Sequence, residues 1–255
     1  MIMTDASADE FENWQPPDDW SSREVLREAQ ADRRAGRYAA ALAKHIWYHQ
    51  NEPLPEIRRS SVLRKWVELG AEYPPALQKL KEFRDLAKTK LLSGEGDVDV
   101  FAEFTNINQK LEEVQETVSL FLMLDEKAPE LAFKCYPYAE SPLIRAGEYQ
   151  VCGKYIDPEH TLEIHLTARR IMQQRSSHTN LPQKFNKKSR FDFPDHDVLC
   201  LGTSQHFAAL VALLIHNDRT AEARAFAGRV RYEFNDQVLN ELVAEALQGG
   251  FPPGY

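Results

Sequence analysis

The sequence predicts an all-α protein, an α/α superhelical solenoid of stacked helical hairpins closed by a C-terminal capping helix. Three observations carry that expectation. A small residue recurs inside helical patterns, and taking Ala41, Ala76, Thr117, Cys152 and Ala223 as markers gives steps of 35, 41, 35 and 71 residues, the last about twice the shorter steps. Periods of this size belong to hairpins that bury their apolar faces only by stacking on neighbours. Helix punctuation surrounds the markers: in 35–53, AGRYAAALAKHIWYHQNEP, Gly36 and Tyr38 lead into an alanine-rich helix and Pro53 closes it. Finally, Phe207, Leu210, Val211, Leu214 and Ile215 keep the i, i+3, i+4 spacing of a helix with a buried stripe.

The elements follow in order. Residues 1–20 carry Asp5, Asp9, Glu10, Glu12, Asp18 and Asp19 without a Lys or Arg, the composition of a solvated acidic tail, with Trp14 and Trp20 as anchors. Ser21 and Glu24 form a capping-box pattern that starts a first helix, and 39–50 is its partner. The second hairpin pairs 57–72 with a helix from Pro75 to Leu92, proline being tolerated in a first turn. The turn 93–96, SGEG, stops it and accounts for the longer step of 41. The third hairpin pairs 98–111 with 116–127. The fourth starts at Pro129, and Pro137 and Pro142 predict a kink or break before Ala146, because an interior proline costs a helix about 3 kcal/mol. A short helix ends at Asp157-Pro158, and 159–174 is a further helix.

The segment 176–197 reads as an irregular loop in which Lys184, Lys187, Lys188 and Arg190 mix with Phe185, Phe191 and Phe193. Beyond it, 198–216 is the strongest helix, Thr220 is expected to cap 221–234, and Asp236 to cap a last helix that Gly249-Gly250 ends. The repeat domain therefore spans 21–248, followed by a short tail, 249–255.

Composition excludes several classes. With 43% hydrophobic and 10% aromatic residues the chain of 255 residues has enough apolar surface to fold. No run approaches the roughly 18 apolar residues of a membrane span. The opening MIMTDASADEFENW places acids where a signal peptide has bases, so a cytoplasmic protein is expected. Cys135, Cys152 and Cys200 are odd in number and far apart, and read as small buried hydrophobes. A net charge of −8 argues against general nucleic-acid affinity. The basic patch at 184–190 is offset by Asp192, Asp195 and Asp197, leaving nucleic acid an unlikely partner.

The markers resemble those of the tetratricopeptide-repeat family: Gly36, Tyr38, Ala41 and Pro53, then Tyr73 and Ala76, Phe121 and Pro129, Gly147 and Tyr149. The resemblance covers about residues 22–248, and KHIWYH and WVELGAEYPPAL are also similar to a group of bacterial repeat proteins. It implies that the first helix of each hairpin lines a concave surface, at fixed offsets before the marker. Those offsets select Arg23, Leu26, Gln30, Arg33 and Arg34; Arg58, Ser61, Lys65, Glu68 and Leu69; Asp99, Ala102, Asn106, Gln109 and Lys110. They go on to Lys134, Pro137, Ser141, Ile144 and Arg145, and to Gln205, Ala208, Ala212, Ile215 and His216. Eight bases face two acids on that surface, in a chain with 31 bases and 39 acids. Leu26 and Gln30 depart from the carboxylate clamp of chaperone-binding repeat domains, which would present Lys and Asn there.

The implied function is a non-catalytic adaptor whose basic groove binds a segment of an acidic protein partner. Its candidate binding residues are Arg33, Arg34, Arg58, Lys65, Asn106, Gln109, Lys134 and Arg145. A toxin-neutralising or regulatory protein that occludes one enzyme is the first alternative. A metal-dependent enzyme using His45 and His49, four apart on one helix, is the second, although no acid lies between them as a zinc protease requires. Those histidines read as half-buried packing residues. Asn108 joins Asn106 as a possible groove-facing amide. There is no Gly-rich phosphate loop and no local nucleophile motif, so neither a catalytic residue, a metal nor a cofactor is assigned.

Overall fold

A computed structural model describes residues 14–52, 62–178 and 201–255. Among these the chain forms twelve helices and no strand, so the protein is all-α. It divides into two compact units, Met1–Ala139 and Glu140–Tyr255.

The first unit holds α1 (Ser22–Arg34), α2 (Tyr38–Asn51), α3 (Leu63–Glu72), α4 (Pro74–Ser93), α5 (Val98–Leu111) and α6 (Val114–Lys127), and the division falls within α7 (Pro129–Ala146). Local signals set the ends. The Ser21 and Glu24 capping box forms, with the Ser21 N–H donating to the Glu24 carboxylate at 2.8 Å. Asp97 caps α5 by accepting from the Val100 N–H at 3.0 Å. Gly94 ends α4 in the left-handed region, φ 84°, which an L side chain rarely adopts.

Each helix packs on the next from α1 to α6, and α3 also packs on α5. The core centres on Trp66, fully buried among Leu63, Leu69, Leu80 and Ile107, with its indole N–H donating to the Ala76 carbonyl at 2.9 Å. A second cluster joins Val25, Tyr48 and Val62, covered by Trp14, Trp20 and Trp47. Residues 1–13 of the expected tail lie outside the described residues. Trp14 packs 6.3 Å from the rings of Trp20 and Trp47, beneath the Lys44 ammonium, which places it against α2.

The second unit holds α8 (Tyr149–Gly153), α9 (Pro158–His178), α10 (Leu201–His216), α11 (Thr220–Phe234) and α12 (Gln237–Ala246). At its centre is α10, packed on α8, α11 and α12, while α9 packs on α11. Every residue from Phe207 to Leu214 is buried. A helix apolar all round is buried all round, so α10 is a central helix rather than one with a single stripe, and Ala208 and Ala212 do not face a groove. Asp236 caps α12, accepting from the Leu239 N–H at 2.8 Å.

The five marker residues are all buried, on α2, α4, α6, α8 and α11. Two local expectations are corrected. The proline break in α7 does not form, and the helix is continuous from Pro129 to Ala146. Ala132, Cys135, Tyr136, Ala139 and Leu143 are buried along this helix, and their packing outweighs the local cost of Pro137 and Pro142. Thr220 starts α11 without capping it by a side-chain hydrogen bond. Of the expected loop 176–197, residues 176–178 complete α9 and the rest lie outside the described residues.

Cys135 and Cys152 are fully buried, one in each unit. Burial, with a contribution from Asp97, pushes the Cys135 thiol up to about 12. Cys200 lies outside the described residues. No helix among them is long and apolar enough to cross a membrane.

Candidate functional site

In the first unit the helices expected to line a groove are α1, α3 and α5. Arg33 joins the first two, its Nε and Nη2 donating to Glu72 at 2.9 and 2.7 Å and its Nη1 to Glu68 at 2.7 Å. Hydrogen bonding to Arg33 holds the Glu72 carboxyl below the usual carboxylate range. Arg33 is thus engaged inside the protein. Glu72 is a participant that the offsets did not select.

The other candidates are placed singly. Arg34 is exposed and Lys65 half-buried, and neither forms an ion pair among the described residues. Asn106 donates to the Ala102 carbonyl of its own helix at 2.7 Å, and Gln109 is exposed. Asn108 is buried and donates to the Thr117 hydroxyl at 3.2 Å, tying α5 to α6. Lys134 is exposed and, with Gly94, Gly96 and Pro129, lines a shallow depression of about 470 Å³. Arg58 lies outside the described residues.

His45 and His49 enter the core. His45 is 1% exposed, lies tilted against Trp66 at 5.5 Å, and has no hydrogen-bond partner on either ring nitrogen among the described residues. Burial, reinforced by the charges of Lys65, Arg33 and His49, pushes its pKa down to about 3. His49 meets the Glu103 carboxylate at 2.8 Å and packs its ring on Phe83 at 4.6 Å. Among the described residues no three His, Cys, Asp or Glu side chains gather to hold a metal ion.

The second unit has a different kind of site. The segment 249–255, GGFPPGY, lies in a cradle built by α7, α8 and α10. Arg145 donates to the Gly254 carbonyl at 2.9 Å and to the Ser141 hydroxyl at 2.9 Å. Gln205 donates to the Pro253 carbonyl at 2.8 Å, and the His216 Nε2–H to the Gly249 carbonyl at 2.9 Å. The Phe251 ring stacks on His216 and Tyr149, at 5.4 and 5.1 Å. His206 lies 3.3 Å from the Tyr255 hydroxyl and 3.4 Å from the buried Glu140 carboxylate. Burial opposes charge on His206, but the Glu140 hydrogen bond and charge outweigh it and raise the pKa.

Sequence reasoning placed Ser141, Arg145, Gln205 and His216 on an open face and read 249–255 as a helix stop and short tail. The structure brings those four side chains onto that segment. Compared with known protein families, characterised proteins and solved structures, the chain matches none.

Proposed function

We propose that this protein is a non-catalytic, cytoplasmic interaction module of stacked, tetratricopeptide-like hairpins, in which the face made by α1, α3 and α5 binds a segment of an acidic protein partner. The observation that carries the reading is the linkage of these three helices, α1 tied to α3 through Arg33 and α3 packed on α5. Arg34 and Lys65 are two cations of this face that form no ion pair among the described residues. Each exposed ion pair contributes only about 0.2–1 kcal/mol, so charge sets approach and register while apolar neighbours set affinity. Micromolar binding, weakened by salt, is the expected scale.

The test is affinity capture from the native host's lysate at low and high salt, using the wild-type chain and an Arg34→Glu, Lys65→Glu variant. An acidic partner held by the wild type, released by salt and lost by at least tenfold in the variant supports the reading. Equal capture by both sinks it, and one partner that resists high salt would instead favour the occlusion of a single enzyme.

A further inference from the structure

The geometry points to a second binding site, separate in residues and chemistry from the basic face: a cleft on α7, α8 and α10 that takes a proline–glycine turn flanked by aromatic residues from a partner protein. The segment 249–255 occupies this cleft as an internal stand-in.

The shape of the segment is that of a ligand. Tyr255 donates its N–H to the Pro252 carbonyl at 3.3 Å, closing a turn with Pro253 and Gly254 at its centre. Gly254 has φ 100°, and proline followed by a glycine of positive φ is the pattern of a type II turn. That turn is largely set by its own sequence, so its ordering costs less when it binds. Pro253 and Gly254 point outward while Pro252 is buried.

The cleft recognises this shape in a way that transfers to another chain. Arg145, Gln205 and His216 all donate to main-chain carbonyls, of Gly254, Pro253 and Gly249. Such contacts read backbone course, not side-chain identity. Specificity comes from two aromatic places, the contacting rings of Tyr149 and His216, 4.3 Å apart, against which Phe251 packs, and the His206 edge for Tyr255. Aromatic-lined grooves are a common way of docking proline-rich segments.

The segment is also separable from the core. Phe207, Leu210, Phe226, Val230, Leu239 and Val243 fill the interior of this unit among themselves and their neighbouring helices. Phe251 and Tyr255 are only half-buried. A tethered segment competes at an effective concentration on the order of millimolar, so a partner's turn must first overcome it. Releasing the segment raises the affinity for an external one.

The experiment uses the full chain and a fluorescein-labelled peptide of sequence GGFPPGY, read by fluorescence anisotropy. A Phe251→Ala, Tyr255→Ala variant frees the cleft without altering its walls, and should bind the peptide at least tenfold more tightly than wild type. Adding Arg145→Met and Gln205→Ala should remove that gain, as should a peptide with both prolines changed to alanine. Equal, weak binding to wild type and freed variant overturns the proposal. A second measurement needs no variant: millimolar peptide added to the wild-type chain should shift the Phe251 and Tyr255 ring resonances toward free-segment values, and their staying fixed overturns it too. A dimer that exchanges the segment between copies and captures no peptide would assign the cleft to a second copy, and would equally overturn it. Charge reversal at Arg34 and Lys65 leaves all these readouts unchanged, which separates this site from the basic face.

Discussion

Acid should unfold the first unit through His45. Its two ring nitrogens lack partners and its pKa is pushed from 6.5 to about 3, so the folded state keeps it neutral well into acid. The unfolded chain protonates near 6.5. Between these values the unfolded state binds one more proton, and folding stability therefore falls as pH drops below 6.5, by up to about 1.4 kcal/mol per unit. Between pH 7.5 and pH 5 the loss is about 2 kcal/mol, and it levels off only near pH 3. The variant His45→Phe keeps a ring against Trp66 and removes both nitrogens. All four tryptophans, at 14, 20, 47 and 66, belong to the first unit, so tryptophan fluorescence reads the unfolding of that unit alone. Urea midpoints of wild type and variant, taken from pH 7.5 to 5, give the difference directly. The other ionisable groups of the unit are common to both proteins, so their contributions cancel. Parallel curves for the two proteins would refute the reasoning.

Two further outcomes follow from the same unit. Arg33→Met should cost about 1 kcal/mol at low salt and less at high salt, because its partners are partly exposed and screened; urea titration at two ionic strengths checks it. Gly70→Ala would put a Cβ 2.3 Å from Leu77 Cγ, an overlap that should cost about 1–3 kcal/mol. In a Leu77→Ala background the same change should cost markedly less, and a double-mutant cycle measures the coupling.

What could be read in the sequence depended on how local the cause was. The helices followed from caps, turn glycines and apolar spacing, each confined to a few neighbouring residues. Ser21 with Glu24 and Asp236 with Leu239 form as their sequence patterns require. Arg33 was half legible: it and Glu68 occupy the same place in successive repeats, 35 residues apart, so opposite charges at one offset already implied a bridge between neighbouring hairpins. Counting bases against acids over the whole surface hid that pairing. The prolines of α7 misled because a local rule weighs only the lost bond and the ring clash, whereas Ala132, Cys135, Tyr136, Ala139 and Leu143 are buried along this helix and their packing outweighs that cost. The 249–255 cradle left no local trace, since Arg145 and Gly254 are 109 residues apart. Only the fold could join them.

The two buried thiols give each unit its own chemical clock. Cys135 sits in the first unit and Cys152 in the second, both without solvent contact, and an alkylating reagent reacts only with a thiolate that it can reach. With Cys200 replaced by serine, alkylation must wait for a local opening event around one sulfur or the other. The two labelling rates, separated by peptide mapping, then report the opening free energies of the two halves within one sample. A ligand that steadies only one half would slow only one of them.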